Sequence, residues 1–171
     1  KTLGIMIEKD SWIFSIDLED AYYSFLLHPD SRSIFGAKAK LKKEQLERLK
    51  AAGLWPEGRS TEDQEVCLQP RGLPMGFTNS CAIWTSIQRV LTRMWRSRGW
   101  KCCGYIDDFL FIADTKEEAE AMLEQALKDI EGLGLAPSYK KTVTPCKRLK
   151  FLGILVDTTT CCFYVPGEKV E

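Results

Sequence analysis

Two aspartates, Asp107 and Asp108, stand side by side in KCCGYIDDFLFI (101–112), a run that is otherwise apolar and aromatic. Adjacent carboxylates repel, and burial raises that cost, so such a pair either keeps a proton or shares a cation. No Arg or Lys follows the first residue of the run, and the lone histidine, His28, is distant in sequence. A divalent metal answers the charge. Hard oxygen ligands suit Mg2+, with Mn2+ as a substitute, and Mg2+ usually completes its shell with substrate phosphates. A third acid has a similar setting: Asp17 closes the apolar stretch SWIFSIDL (11–18) and is followed by Glu19 and Asp20. If that stretch is a strand beside the hairpin, Asp17 and Asp107 meet at one edge of a sheet. Carboxylates from separate strands then hold two metal ions about 3.5–4 Å apart, an arrangement that activates an attacking oxygen and stabilises a leaving one. A lone Asp-Asp is usually only a turn, so the metal reading rests on the three acids together.

The elements that must position these acids follow from the pattern. SWIFSIDL is β-rich and ends at Asp17; EDAYYSFLL (19–27) is helical or turn-like until His28-Pro29-Asp30 breaks it. KCCGY and DFLFIA flank the Asp pair as two β-type runs, which predicts a tight hairpin. Residues 38–65, rich in Lys and Glu, predict a short exposed helix followed by a loop, and EVCLQP (65–70) predicts a short strand. Thr78 or Asn79 is placed to cap a helix running to about Arg98. Ala119, Met122, Leu123, Ala126, Leu127 and Ile130 recur at helical spacing through 116–131, and Gly132 and Gly134 end that helix. KFLGILVD (150–157) and CCFYVP (161–166) predict a second hairpin across Thr158-Thr159-Thr160. The sum is an α+β domain, a sheet covered on one face by helices.

Composition narrows the class. The chain has 171 residues, 44% hydrophobic and 28% charged, enough for one compact domain with a real core and unlike a disordered segment. No apolar run approaches a membrane span, and the N-terminus lacks a signal-peptide layout. Seven cysteines, two adjacent pairs among them and none in Cys-x-x-Cys spacing, read as reduced thiols of an intracellular protein, cytoplasmic or nuclear. Formal net charge is zero, but SIQRVLTRMWRSRGWK (86–101) and SYKKTVTPCKRLK (138–150) are basic without an acid, while the acids gather in 114–131. Segregation of this kind can make one face positive although the total cancels.

Five blocks, in order, resemble the palm of a retroelement reverse transcriptase: IDLEDAYY (16–23), LPMGFTNS (73–80), YIDD (105–108), SYKKT (138–142) and FLGILVD (151–157). The flavour is similar to long-terminal-repeat, tyrosine-recombinase or pararetroviral elements. The resemblance implies an antiparallel, ferredoxin/RRM-like polymerase palm with part of the fingers over residues 1–150, including an insertion at 38–65. It implies a primer-grip-like hairpin at 151–166 and the start of a truncated thumb at 167–171. The implied activity is RNA-directed DNA polymerisation: two Mg2+ ions, deoxynucleoside triphosphates (dNTPs), and a primer on an RNA or DNA template. Asp17, Asp107 and Asp108, with the Leu18 carbonyl, would hold the metals. Asp20 and Ala21 would offer backbone N–H groups to the triphosphate, and Tyr22 would crowd the sugar 2′ carbon. Met75 and Gly76, with Pro74, would lie under the incoming base and template. Lys141 would protonate the leaving pyrophosphate, with its neighbour Lys140 as the alternative. Tyr105, Leu152 and Gly153 would meet the primer, although Met75 and Tyr105 could also serve a core and Phe77 suits a core equally well.

Two departures stand out: Met75 replaces a glutamine common in retroviral relatives, and Cys81 replaces a frequent proline after Ser80. Rival readings are a catalytically inactive nucleic-acid scaffold and an RNA-templated RNA polymerase palm. A start without an initiator methionine reads as a fragment, so the chain alone is expected to turn over weakly without its fingers and thumb.

Overall fold

The computed structural model describes residues 6–55 and 65–165. In chain order its elements are β1 (Trp12–Glu19), α1 (Pro29–Arg32), a 3-10 turn (Ser33–Phe35), β2 (Ala37–Lys40), α2 (Lys43–Ala51), β3 (Glu65–Leu68), α3 (Ser80–Ser97), β4 (Lys101–Tyr105), β5 (Asp108–Ala113), α4 (Lys116–Gly132), β6 (Ala136–Pro137), β7 (Val143–Cys146), β8 (Arg148–Phe151), β9 (Ile154–Asp157) and β10 (Cys162–Tyr164). They divide into two compact units, Phe25–Pro74 and the segments on either side of it. No helix among the described residues is long and apolar enough to cross a membrane.

In the larger unit the sheet runs β4-β5-β1-β6, β7 also pairs with β1, and all pairings are antiparallel. Strand alternation sends successive side chains to opposite faces. On one face Phe14 stacks on Phe111 at 4.7 Å, and Trp95 of α3 meets Phe109 and Phe111 edge-on at 5.1 and 5.0 Å. The helix α4 brings Ala119, Met122, Ala126 and Ile130, all buried. On the other face Ile13, Leu110 and Ile112 pack with Leu149, Phe151 and Val156. Each of these large side chains contributes roughly 1.5–3 kcal/mol by leaving water. The helical layer on one face therefore matches the sequence expectation, and a three-stranded sheet, β10-β9-β8, covers the other.

Local chemistry sets the helix ends. Thr115 caps α4 by accepting from the Glu118 N–H at 3.2 Å, and Gly134 turns out of the helix at φ +76°. At α3 the expected cap position, Asn79, is occupied, but its side chain makes no capping hydrogen bond.

Of the helical and turn-like alternatives for EDAYYSFLL the turn is the one formed: the N–H groups of Tyr23 and Ser24 return to the Asp20 carbonyl at 2.9 and 3.2 Å. KFLGILVD is not one strand, because Leu152 and Gly153 both adopt positive φ and split it into β8 and β9. The hairpin around Leu152-Gly153 thus spans 148–157, and a boundary at 150/151 falls inside β8. The predicted pairing across Thr158–Thr160 is present as β9 with β10.

The presumed 38–65 insertion falls within the smaller unit. Here α2 is the predicted exposed helix, and β2 pairs antiparallel with β3 across it, a pairing that sequence reading did not foresee. Leu46 of α2 is buried against Leu41 and Val66, giving this unit its own apolar cluster. Residues 56–64 of the insertion and the 167–171 thumb segment lie outside the described residues.

Candidate active site

The acids meet at the end of β1. Asp17 and Asp108 are direct cross-strand partners, and the Leu18 N–H donates to the Asp107 carbonyl at 3.1 Å. Sequence reading set Asp17 against Asp107; the register partner is Asp108, and Asp107 occupies the turn. Burial first, then the charges of Asp17 and Asp108, push the Asp107 carboxyl above the ordinary carboxylate range, against an opposing pull from Trp84 and Lys141. Burial, then Asp17, raise Asp108 in the same way. Lys141 places its Nζ 3.0 Å from Asp17 Oδ2, a contact that raises the lysine and keeps it protonated. Lys140 is exposed.

The donor set suits a divalent cation. Asp107 Oδ1 is buried without a hydrogen-bond partner, and an unsatisfied buried acceptor costs about 1–3 kcal/mol. One lysine against three carboxylates leaves excess negative charge at this edge. The expected three-carboxylate cage is nevertheless not assembled. Among the described residues no three Asp, Glu, His or Cys side chains form a group able to hold a metal ion. The backbone delivers the acids to one edge, but one Asp17 oxygen is engaged by Lys141.

The turn carrying Asp107 is held from α3. Ile106 sits at φ +51°, a region that a β-branched residue enters only under constraint. The Trp84 indole N–H donates to the Ile106 carbonyl at 3.0 Å. Trp84 also faces the ring of Tyr22, with centroids 6.3 Å apart. Sequence reading missed this tryptophan, whose only signal was its position one turn into α3.

The other predicted residues fall into two surface features. Tyr22, Met75, Gly76, Phe77, Ser80 and Cys81 line a hollow of about 250 Å³. Burial, then contact with the Cys81 thiol, raise the Tyr22 phenol above its ordinary value. Met75 is 62% exposed, so it is no core residue, and Gly76 needs its φ of +86° to turn the loop. Ahead of them, Asp20 takes φ +49° and Ala21 is buried. Tyr105 and Leu152, both exposed, share a groove of about 560 Å³ with Arg89 and Arg96 of α3. Gly153 completes the Leu152 turn, and Pro74 ends the smaller unit.

The basic run 86–101 is less available than its composition implies. Arg96 donates twice to the Cys102 carbonyl, at 3.0 and 2.8 Å, Arg98 pairs with Asp129, and Lys101 bridges Glu8 and Asp114. Arg89 and Arg93 remain exposed on α3.

A central strand, a crossover helix and a hairpin bearing paired acids, followed by a second helix, define a polymerase palm, an α+β fold. The chain belongs to the reverse transcriptase (RNA-dependent DNA polymerase) family, whose pattern it matches over residues 5–156. Membership in this family implies divalent-metal dependence in general terms. The Gag-Pol polyprotein of Gibbon ape leukemia virus is 26% identical over 148 residues, 85% of this chain, and that of Woolly monkey sarcoma virus 25% over 150 residues, also 85%. The chain spans 8% of the length of each of these relatives. Two foamy viral protease-reverse transcriptase structures share the fold. One, in complex with RNA/DNA hybrid, has a TM-score of 0.68 at 23% identity, covering 98% of this chain and 19% of its own. The other, in complex with dsDNA, has a TM-score of 0.69 at 22% identity, covering 98% and 29%.

Proposed function

We propose that these residues form the catalytic palm of an RNA-directed DNA polymerase that adds deoxynucleotides to a primer 3′-hydroxyl. The observation that carries this reading is the pairing of Asp17 with Asp108 beside the unpartnered Asp107 oxygen, with the Lys141 ammonium at the same edge. Asp17, Asp107 and Asp108, with the Leu18 carbonyl, would hold two Mg2+ or Mn2+ ions. When bound, those ions supply Lewis-acid activation of the hydroxyl and neutralise the triphosphate.

The chain's own groups do the rest. Lys141 keeps its proton beside Asp17 and is placed to give it to the departing pyrophosphate. The turn after β1 presents the N–H groups of Asp20 and Ala21 to the triphosphate, as oriented amides do for anions. Tyr22, backed by Trp84, narrows the hollow at Met75-Gly76, so a sugar 2′-hydroxyl would clash with its ring. Pro74 continues the Met75-Gly76 loop toward the template. Tyr105 and Leu152, with the Gly153 turn, border the groove in which the primer strand would lie. The foamy viral enzymes of the same fold were solved with RNA/DNA hybrid and with dsDNA, which supports a duplex partner here. Seven free thiols support a reducing, intracellular setting.

Primer extension by the full-length polypeptide tests the reading. Asp107→Asn should lower the rate by at least about 100-fold, the scale of a lost transition-state charge contact. Wild-type activity in that variant would remove the assignment.

A further inference from the structure

Ser138 lies outside every role assigned above, yet its backbone and side chain hold together the two segments on which the chemistry depends. It is 2% exposed and follows the two-residue strand β6, which pairs with Leu18 and Glu19 of β1. Its N–H donates to the Asp17 carbonyl at 2.7 Å. Its hydroxyl donates to Glu19 Oε1 at 2.9 Å. Its carbonyl accepts three bonds from the next turn: the Lys141 N–H at 3.1 Å, the Thr142 N–H at 2.8 Å and the Thr142 hydroxyl at 2.8 Å. One residue thus ties the backbone beneath Lys141 to the strand that carries Asp17.

Lys141 needs such a base. Its side chain is 69% exposed, whereas that of Asp17 is 16% exposed. A lysine on a flexible stem in solvent has many rotamers, so its ammonium stays at one carboxylate only if the stem starts from a fixed point. The bonds at Ser138 provide that point, and the hydroxyl–Glu19 contact is the part a side-chain substitution removes.

We propose that Ser138, latched to Glu19, is a positioning residue that sets the Lys141 ammonium against the Asp17 carboxylate for proton delivery to the leaving group. This deepens the polymerase reading and rests on it.

The first test is independent of turnover. In the metal-free chain, acylation of Lys141 by an amine-reactive ester, followed by peptide mass spectrometry, should run at least about threefold faster in Ser138→Ala and Glu19→Ala, because a loosened ammonium leaves its ion pair more often. Ser138→Thr, which keeps the hydroxyl, should stay near wild type. The second test uses single-nucleotide incorporation by the full-length polypeptide. Ser138→Ala should lower kcat by roughly 10-fold with the KM for dNTP held within about twofold, a loss confined to the transition state. Added to Lys141→Ala it should cost nothing more, since both changes remove one unit of function. Should Ser138→Ala fail to fold, Glu19→Ala reports on the latch from an exposed position, read against Glu19→Gln, which keeps an accepting oxygen for the hydroxyl while removing the Glu19 charge that itself acts on Lys141. Unchanged Lys141 labelling in both Ser138→Ala and Glu19→Ala, or equal rate losses with and without Lys141, overturns the proposal. Full activity in Asp107→Asn would instead overturn the polymerase reading and leave the labelling result standing.

Discussion

Replacing Asp108 by asparagine should make the metal-free protein more stable while removing its response to divalent cations. Asp108 and Asp17 are opposite each other in register, and like charges so placed cost about 0.2–1 kcal/mol. The asparagine amide also supplies permanently the hydrogen that a protonated Asp108 would share with Asp17, a gain of about 0.5–1.5 kcal/mol. Together these give about 0.7–2.5 kcal/mol, or roughly 1–10 °C in Tm for a chain of this length. The pH dependence has a definite sign. The folded-state carboxyl of Asp108 titrates above its ordinary value, so its destabilising effect is absent in acid. It develops as pH rises from about 4 through the raised value. The advantage of the asparagine variant should therefore be large near neutrality and close in acid. Scanning calorimetry in chelator, then with Mg2+ or Mn2+, measures both effects. At ten times its dissociation constant a cation should stabilise the wild type by about 1.4 kcal/mol and the variant by much less. A variant less stable than wild type in chelator at neutral pH, or a wild type indifferent to saturating cation, would refute the electrostatic account.

Other perturbations follow from the same geometry. Gly104→Ala would place a Cβ 2.0 Å from the buried Gln88 Nε2 and 3.0 Å from Phe109 Cδ1, so thermal melts should show a loss of about 1–3 kcal/mol. Adding Gln88→Ala, which also removes an unpartnered amide nitrogen, should recover most of it; equal losses in both would place the strain elsewhere. Tyr22→Ala should raise ribonucleotide relative to deoxynucleotide incorporation by at least about 10-fold, the scale on which a steric exclusion acts. An unchanged ratio in primer extension would remove the gate.

What could be read from the chain was what the pattern encodes locally. The apolar run ending at Asp17, the two β-type runs around the Asp pair and the helical spacing from Ala119 to Ile130 all reappear. Contacts distant in sequence could not be read. Ser138 reaches Glu19 across 119 positions and Lys141 reaches Asp17 across 124, and no neighbouring residue announces either. The basic run misled for the same reason: Arg98 finds Asp129 on another helix 31 residues away, so composition alone overstated the charge available to a nucleic acid.

The remaining misses share one physical cause. Among the described residues five non-glycine residues have positive φ, and three fall inside the predicted blocks: Asp20 at +49°, Ile106 at +51° and Leu152 at +50°. Local preference argues against that conformation for isoleucine and leucine, at a cost of order 1–3 kcal/mol each. This is why KFLGILVD looked like a single strand. Tertiary bonds override the preference at Ile106, where the Trp84 indole fixes the carbonyl and the Tyr105–Asp108 pairing closes the turn. These strained turns carry or border the acids, the turn proposed to meet the triphosphate and the groove proposed for the primer, so the rules of local propensity fail where the proposed chemistry needs the backbone bent. A turn relaxed at Ile106 would aim the Asp107 carboxylate elsewhere. The cost of holding it is met by a tryptophan that lies on the neighbouring helix and leaves no mark in the hairpin sequence itself.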